Sequence, residues 1–339
     1  MKLSKWLRLN IDTLVIEHPA FVAVRQAILD AVTDTIDGLP SEVLVLLGPT
    51  QAGKSKMLRT IAEAYPPTRI EGRLQVLVLY ISLPPGVALK DLPKYVIRAL
   101  GIRRGAKFRT AGELFGEMCD LLKNASVRAI LFDEGNHLVD IGHRILPRQA
   151  ADWFKHLNEL ANISIVVAGI PRLRALLQRN EQVRGRAPRA IELLPYRWDR
   201  RDERLNFAGC VRAFLDLFEN EGCIVEMTMD AFVRYAYLVS AGHVGLLARF
   251  FVELAKPLDT PQPITLAALQ AAASKLNPPG GVETAPFSTQ PPTDDLLMEV
   301  LSAALAENDI VLPPDPGLAE VGHLRSKMQQ APRKTRGRK

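Results

Sequence analysis

Five short apolar runs recur along the chain, and segments with helical spacing separate them. Val43–Leu47 (VLVLL) is uninterrupted, with Pro40 before it and Gly48 after it, the pattern of a strand covered on both faces. Residues 75–81 (QVLVLYI), 128–132 (RAILF), 163–168 (ISIVVA) and 190–194 (AIELL) repeat the pattern. Between them, apolar positions at helical intervals predict helices over 54–64, 89–100, 111–123, 149–161 and 172–178. Strand and helix in alternation imply crossover connections and hence a five-stranded parallel sheet in an α/β fold.

After Pro195 no comparable strand run appears, and the spacing predicts four helices over 202–221, 229–239, 244–256 and 266–276, with Thr228, Gly242 and Thr265 as caps or stops. This reads as a small all-helical second unit. Residues 277–292 carry PPGG and QPP without apolar period, the composition of a flexible linker. Asp294–Glu307 (DDLLMEVLSAALAE) then predicts one amphipathic helix whose acidic residues sit at its N-terminal end, where the helix dipole favours them. Such a helix either docks on a partner or folds back on its own chain. The expected division is 1–40, an N-terminal segment with a leading helix; 41–198, an α/β core; 199–277, a helical unit; and 278–339, linker, helix and tail.

Composition changes this picture little, but charge does. Of 339 residues 47% are apolar, enough for a real core, which excludes wholesale disorder. Lys and Arg number 43 against 37 Asp and Glu; seven of the basic residues lie in 325–339, which has no acidic one. The remainder is close to neutral, so the tail is a basic arm suited to an anionic partner. Cys119, Cys210 and Cys223 form no CxxC pair, which argues against zinc or a disulfide framework and fits buried thiols in a reducing compartment. No apolar run reaches the roughly 18 residues of a membrane helix, and Asn10, Asp12 and Glu17 interrupt any leader, so a cytoplasmic location with no membrane partner is expected.

The chemistry lies at the end of the first run. Gly48-Pro49-Thr50-Gln51-Ala52-Gly53-Lys54-Ser55 satisfies G-x-x-x-x-G-K-[ST] between a strand and a helix. The glycines let the backbone wrap phosphates, the loop offers N–H donors, Lys54 reaches the β- and γ-phosphates, and Ser55 ligates Mg²⁺. The third run ends in Asp133-Glu134, an acidic pair at the carboxyl end of a buried strand. Asp133 is the candidate for the Mg²⁺ shell, and Glu134 for orienting or deprotonating the attacking water. NTPases of this type often take a cation from a neighbouring subunit, for which Arg186 is the candidate. ATP and Mg²⁺ are thus the expected ligands, with Lys54, Glu134 and Arg186 in the catalytic roles.

With these motifs placed, the chain resembles an AAA+ ATPase of the TniB/TnsC type. The resemblance rests on Glu17-His18-Pro19-Ala20-Phe21, on LVLLGPTQAGKS, on ILFDEGNHL (130–138), on WFKHLNELANISIVVAGIP (153–171) and on NEQVRGR (180–186), and spans roughly residues 10 to 255. It implies an ATP-bound ring or spiral of identical subunits along double-stranded DNA that links a target selector to the transposase, with hydrolysis disassembling the oligomer. It also makes 41–198 the AAA+ core and 199–277 its lid, and places Arg186 where the family carries its finger arginine.

Two positions depart from the family. At the end of the fourth strand, Gly169-Ile170-Pro171 stands where the family has a polar group, and in the lid Gly242-His243-Val244-Gly245 replaces Gly-x-x-Arg, the nearest cation being Arg249. Both imply slow hydrolysis. DNA contact is assigned to the loop carrying Arg103, Arg104, Lys107 and Arg109, since phosphate contacts need only such cations. His137, just past the acidic pair, either meets the nucleotide or a neighbour or has a structural part only. Two other functions compete: a nucleotide-gated DNA-binding scaffold without significant hydrolysis, and a helicase loader of the IstB/DnaC sort.

Overall fold

The computed structural model describes residues 1–102, 110–139, 147–177, 189–277, 286–288 and 290–310. Its centre is a five-stranded, all-parallel sheet of β1 (Val43–Leu47), β4 (Val78–Ser82), β5 (Ala129–Asp133), β6 (Ser164–Gly169) and β7 (Arg189–Glu192), in the order β4-β5-β6-β1-β7. Within β1 the pleat divides the apolar run. Val43, Val45 and Leu47 enter one core while Leu44 and Leu46 enter another on the opposite face, so both faces are covered and no polar position interrupts the strand. The first core packs α4 (Leu92–Ala99), α5 (Ala111–Asn124) and α6 (Pro147–Ala161); the second packs α2 (Pro19–Ile36) and α3 (Lys54–Glu63).

Because β6 lies between β1 and β5, the carboxyl ends of these three strands converge on one edge of the sheet. The chain crosses over there in both directions, and such switch points form ligand crevices in open α/β sheets.

Nine of the ten predicted helices begin or end within a few residues of an observed one, and the cap residues explain several boundaries. The Thr110 hydroxyl accepts the Glu113 N–H at 3.3 Å and the Glu113 carboxylate accepts the Thr110 N–H at 3.0 Å, a closed capping box at the start of α5. Thr228 and Thr265 cap α8 (Met229–Ser240) and α10 (Leu266–Ala273) as expected. The 75–81 run is broken instead: its first residue closes a hairpin of β2 (Thr68–Ile70) and β3 (Arg73–Gln75) that the sequence reading did not foresee. The hairpin turns on Glu71 and Gly72, both at positive φ (50° and 78°), a primed-turn geometry without the usual Asn-Gly signature. Where a helix was expected over 172–178, the described residues form a 3₁₀ turn, Pro171–Leu176.

The helical unit gathers α7 (Arg201–Glu219), α8, α9 (Val244–Ala255) and α10 around one aromatic-rich core. Both ends of the described chain complete it. From the N-terminal side, α1 (Leu3–Thr13) contributes Leu3, Leu7 and Ile11, a stripe at intervals of four, so the 1–40 segment divides between the two units. From the C-terminal side, α11 (Asp294–Glu307) buries Leu297, Val300, Leu301, Ala304 and Leu305 in the same core, which settles the open alternative: it folds back.

The flexible-linker expectation for 277–292 is corrected at Phe287, which is fully buried and stacked on Phe250 and Tyr235 at 5.4 and 4.9 Å. The Gln270 side chain donates to the Phe287 carbonyl at 2.8 Å, and the Tyr235 hydroxyl donates to the Gln290 carbonyl at 2.8 Å. Apolar periodicity overlooks this anchor because one aromatic residue in a Pro/Gly stretch has no period. At the start of α11, Asp294 accepts from Trp198 Nε1 at 3.0 Å and Arg234 Nη1 at 2.6 Å, and the guanidinium carbons of Arg204 and Arg234 lie 5.6 and 5.5 Å from the Trp198 ring centroid. Cys119, Cys210 and Cys223 are all buried and unpaired by disulfide. Among the described residues no single helix is long and apolar enough to cross a membrane.

These contacts generate a prediction. A chain truncated after Ile310 keeps the native thermal transition, whereas one truncated after Asn277 loses Phe287 and all of α11 and melts its helical unit at a lower temperature. Circular dichroism and the Tm of the two truncations check this.

Candidate nucleotide site

β1 delivers the chain to Gly48, where only glycine fits: a Cβ there would lie 2.4 Å from the Leu193 carbonyl oxygen. The loop turns through Gln51 at φ 64° and reaches α3 through Gly53 at φ 100°, the left-handed region where glycine carries least cost. No side chain caps α3, so its first N–H groups and its positive dipole end face the loop. Lys54 is buried, and its Nζ donates to the Gly48 and Pro49 carbonyls at 2.8 and 2.7 Å. Burial pulls its ammonium down from 10.5 to about 8, against the opposing pull of the Glu134 and Asp133 carboxylates. Ser55 is half-buried in the first turn of α3.

Asp133 closes β5 and is only 2% exposed. Its Oδ1 accepts the Glu134 N–H at 2.9 Å, and its Oδ2 accepts the Tyr80 hydroxyl at 2.8 Å. Arg59 of α3 donates from Nε to the same hydroxyl at 3.4 Å, its guanidinium carbon 5.9 Å from the ring centroid. Burial, and after it the bond to Asp133, raise the Tyr80 hydroxyl above its ordinary value. Tyr80 and Arg59 went unnoticed in the sequence, where Tyr80 passes as one more residue of an apolar strand. Glu134 is exposed and sits at φ 56°, a left-handed turn that lets the chain bend directly into the 3₁₀ turn Gly135–Leu138, which carries half-buried His137.

The helical unit meets this loop backbone to backbone. At Gly245, in the first turn of α9, a Cβ would lie 2.2 Å from the Gln51 carbonyl oxygen. The position that departs from Gly-x-x-Arg is thus a close-packing glycine against the phosphate loop, while Arg249 is exposed. Tyr196 joins the two units: its N–H donates to the Gly242 carbonyl at 3.0 Å, its carbonyl accepts the Tyr237 hydroxyl at 2.7 Å, and its hydroxyl lies 2.6 Å from His18 Nδ1. The same Nδ1 accepts the Phe21 N–H at 3.3 Å, so it is an acceptor and Tyr196 donates to it; burial pulls this imidazole down to about 4. His18, given no role from sequence spacing, therefore caps α2 and holds Tyr196.

The structure brings Lys54, Asp133 and Glu134 together at one loop. Arg186 and the four cations Arg103, Arg104, Lys107 and Arg109 lie outside the described residues, as does the basic tail. The loop fits a polyphosphate: an uncapped helix N-terminus, a left-handed glycine and a buried ammonium answered only by carbonyls and nearby carboxylates all favour an incoming anion. Among the described residues no three His, Cys, Asp or Glu side chains could hold a metal ion by themselves. One carboxylate and one hydroxyl, Asp133 and Ser55, instead suit Mg²⁺, which keeps waters and shares phosphate oxygens.

Two outcomes follow. Gly245→Ala forces α9 off the loop, lowering nucleotide affinity about tenfold, roughly 1.4 kcal/mol, in a titration with a fluorescent ATP analogue. Because the Lys54 ammonium is held down when folded, the unfolded chain binds more protons between pH 8 and 10.5, and stability rises through that window. Lys54→Met therefore melts higher than the native chain at pH 7, by about 3 kcal/mol at most, and the difference closes above pH 10.5.

The model of the family described as "Bacterial TniB protein" matches residues 11–193, just over half of the chain. No curated protein matches in sequence. Among solved structures, Cdc6p from Pyrobaculum aerophilum is similar with a TM-score of 0.55 and 14% identity, over 93% of this chain and 88% of that one. The ORC2 protein of Aeropyrum pernix is similar with a TM-score of 0.54 and 13% identity, over 94% and 89%. At such identities the likeness is one of fold, and it is the AAA+ ATPase fold. On the family match, which takes in the phosphate loop and the acidic pair, the chain belongs to the TniB family.

Proposed function

We propose that this chain is an ATP-dependent AAA+ regulator of DNA transposition that assembles on double-stranded DNA and links a target selector to the transposase. In this reading residues 48–53 wrap the phosphates, Lys54 reaches the β- and γ-phosphates, and Ser55 and Asp133 hold Mg²⁺. Held there, Mg²⁺ would supply positive charge against the phosphates. Tyr80 and the Glu134 amide fix the Asp133 carboxylate in one orientation, and Glu134 takes a proton from the attacking water. Arg186 from a neighbouring subunit and the 103–109 cations toward DNA phosphates complete the scheme, with hydrolysis releasing the oligomer.

The observation that carries the reading is the convergence of Lys54, Asp133 and Glu134 on an uncapped helix N-terminus in a TniB-family chain. Two proteins of the same fold lend support: the Aeropyrum pernix ORC2 protein was solved in ADPNP and ADP complexes, and the ORC1 protein in complex with DNA. Ile170 at the end of β6 favours a second reading, a nucleotide-gated scaffold with negligible turnover.

Glu134→Gln separates the two. In the first reading it slows phosphate release about 100-fold or more and lengthens the lifetime of DNA-bound assemblies, followed by light scattering after ATP is removed. Native and variant chains with equal lifetimes and no turnover would leave the scaffold reading standing. A chain that stays monomeric with saturating Mg-ATP and duplex DNA would overturn both.

A further inference from the structure

Each oxygen of the Asp133 carboxylate accepts one hydrogen bond from the protein. Oδ1 takes the N–H of the next residue, Glu134, at 2.9 Å, whereas Oδ2 takes the Tyr80 hydroxyl from the neighbouring strand at 2.8 Å. The register explains the reach: β4 and β5 pair in parallel with Tyr80 opposite Leu131 and Ser82 opposite Asp133, so Tyr80 and Asp133 are diagonal neighbours on one face of the sheet. Helix α3 covers that face, where its Leu58 and Ile61 share a core with Leu131 and pack against Tyr80. Arg59 lies on the same helix, and its guanidinium carbon sits 5.9 Å from the Tyr80 ring centroid.

Chemistry fixes the direction of the chain from Arg59 through Tyr80 to Asp133. A guanidinium only donates, so the Tyr80 oxygen accepts from Arg59 Nε at 3.4 Å. An ionised carboxylate only accepts, so the single Tyr80 proton points at Asp133 Oδ2. A carboxylate has about four lone-pair sites; two are taken here, and the others are left for a cation or the waters around it. Groups that orient a metal ligand from behind are worth about 10- to 100-fold in metal affinity. Asp133 is buried and Tyr80 half-buried, so solvent is poorly placed to replace the hydroxyl.

We propose that Tyr80 is a positioning residue for the divalent cation, aiming the Asp133 carboxylate at it, and that Arg59 holds the Tyr80 hydroxyl in its donating orientation; this rests on the reading above, in which Ser55 and Asp133 hold Mg²⁺. Both act through Asp133 and not on the ion. The relay gives α3 two parts in one site. Its first turn carries Lys54 and Ser55 toward the phosphates, and its second carries Arg59, which acts through Tyr80 on a carboxylate of another strand. Any displacement of α3 on nucleotide binding therefore reaches Asp133 through hydrogen bonds as well as through packing, and metal affinity depends on where the phosphate loop stands.

The test uses the full chain, with Mn²⁺ as the spectroscopic substitute for Mg²⁺. Electron paramagnetic resonance measures free Mn²⁺ as it is titrated into the complex with a non-hydrolysable ATP analogue, and a fluorescent form of the analogue gives nucleotide affinity in EDTA. Tyr80→Phe, which removes one oxygen atom, is expected to weaken Mn²⁺ binding about tenfold and to keep the metal-free analogue affinity within about threefold of the native value. Arg59→Ala is expected to weaken Mn²⁺ binding about threefold alone and to add nothing in the Tyr80→Phe background, because it acts through the hydroxyl. Tyr80→Phe with Mn²⁺ affinity within about twofold of native would overturn the assignment, as would an equal loss of metal-free nucleotide affinity, the mark of a general packing role. Arg59 is exposed, so its alanine variant folds even if Tyr80→Phe does not, and native Mn²⁺ affinity in that variant would overturn the relay. Asp133→Ala run in parallel identifies which claim has failed. If it abolishes Mn²⁺ binding while Tyr80→Phe leaves it native, only Tyr80 is misassigned; if it too binds Mn²⁺ as the native chain does, the metal site of the reading above falls and Tyr80 with it.

Discussion

A charged ammonium held out of water governs this site. Lys54 is buried at the mouth of β1 with only two backbone carbonyls bonded to it, and the nearest opposite charges are Asp133 and Glu134 at the end of another strand. Removing a cation from water is costly unless anions answer it, so the loop is at its best when a further anion arrives. The uncapped start of α3 faces the same space with the same sign of charge. Phosphate recognition is thus a way of completing the fold as well as a function added to it.

The second constraint is the close approach of backbone to backbone. Gly48 under Leu193, Gly242 against Tyr196 and Gly245 against Gln51 leave no room for a β-carbon, and the last of these sets the helical unit directly upon the phosphate loop. A change in the loop therefore has a rigid route into α9 and into the core that α1 and α11 complete. Tyr196 also bonds to His18 of the α/β core, and both are buried. The nucleotide-dependent assembly proposed for this chain needs such a connection, since only an interaction that differs between liganded and free chains can shift an oligomer equilibrium.

The sequence by itself determined the strands and the chemistry of the loop, because both are local. A doubly covered strand must be apolar throughout, so VLVLL names β1 to the residue, and a phosphate loop needs its glycines and lysine at fixed separations along one stretch of chain. The acidic pair was legible for the same reason, as was α11, whose period and cap lie within 294–307. Where a single residue acts through a distant partner, the pattern was silent. Tyr80 looked like strand and Phe287 like linker, His18 had no spacing to mark it, and the β2–β3 hairpin carried no standard turn pair.

Tertiary structure alone decided the strand order that interposes β6 between Lys54 and Asp133, the return of both chain ends to one helical core, and the reach of Tyr80 to Asp133. These depend on contacts between residues tens to hundreds of positions apart, which periodicity cannot encode. Gly245 illustrates the difference. In sequence it is an arginine that is missing; in space it is the surface on which the phosphate loop rests, since the role of a glycine depends on how near its neighbour comes and not on any property of its own side chain.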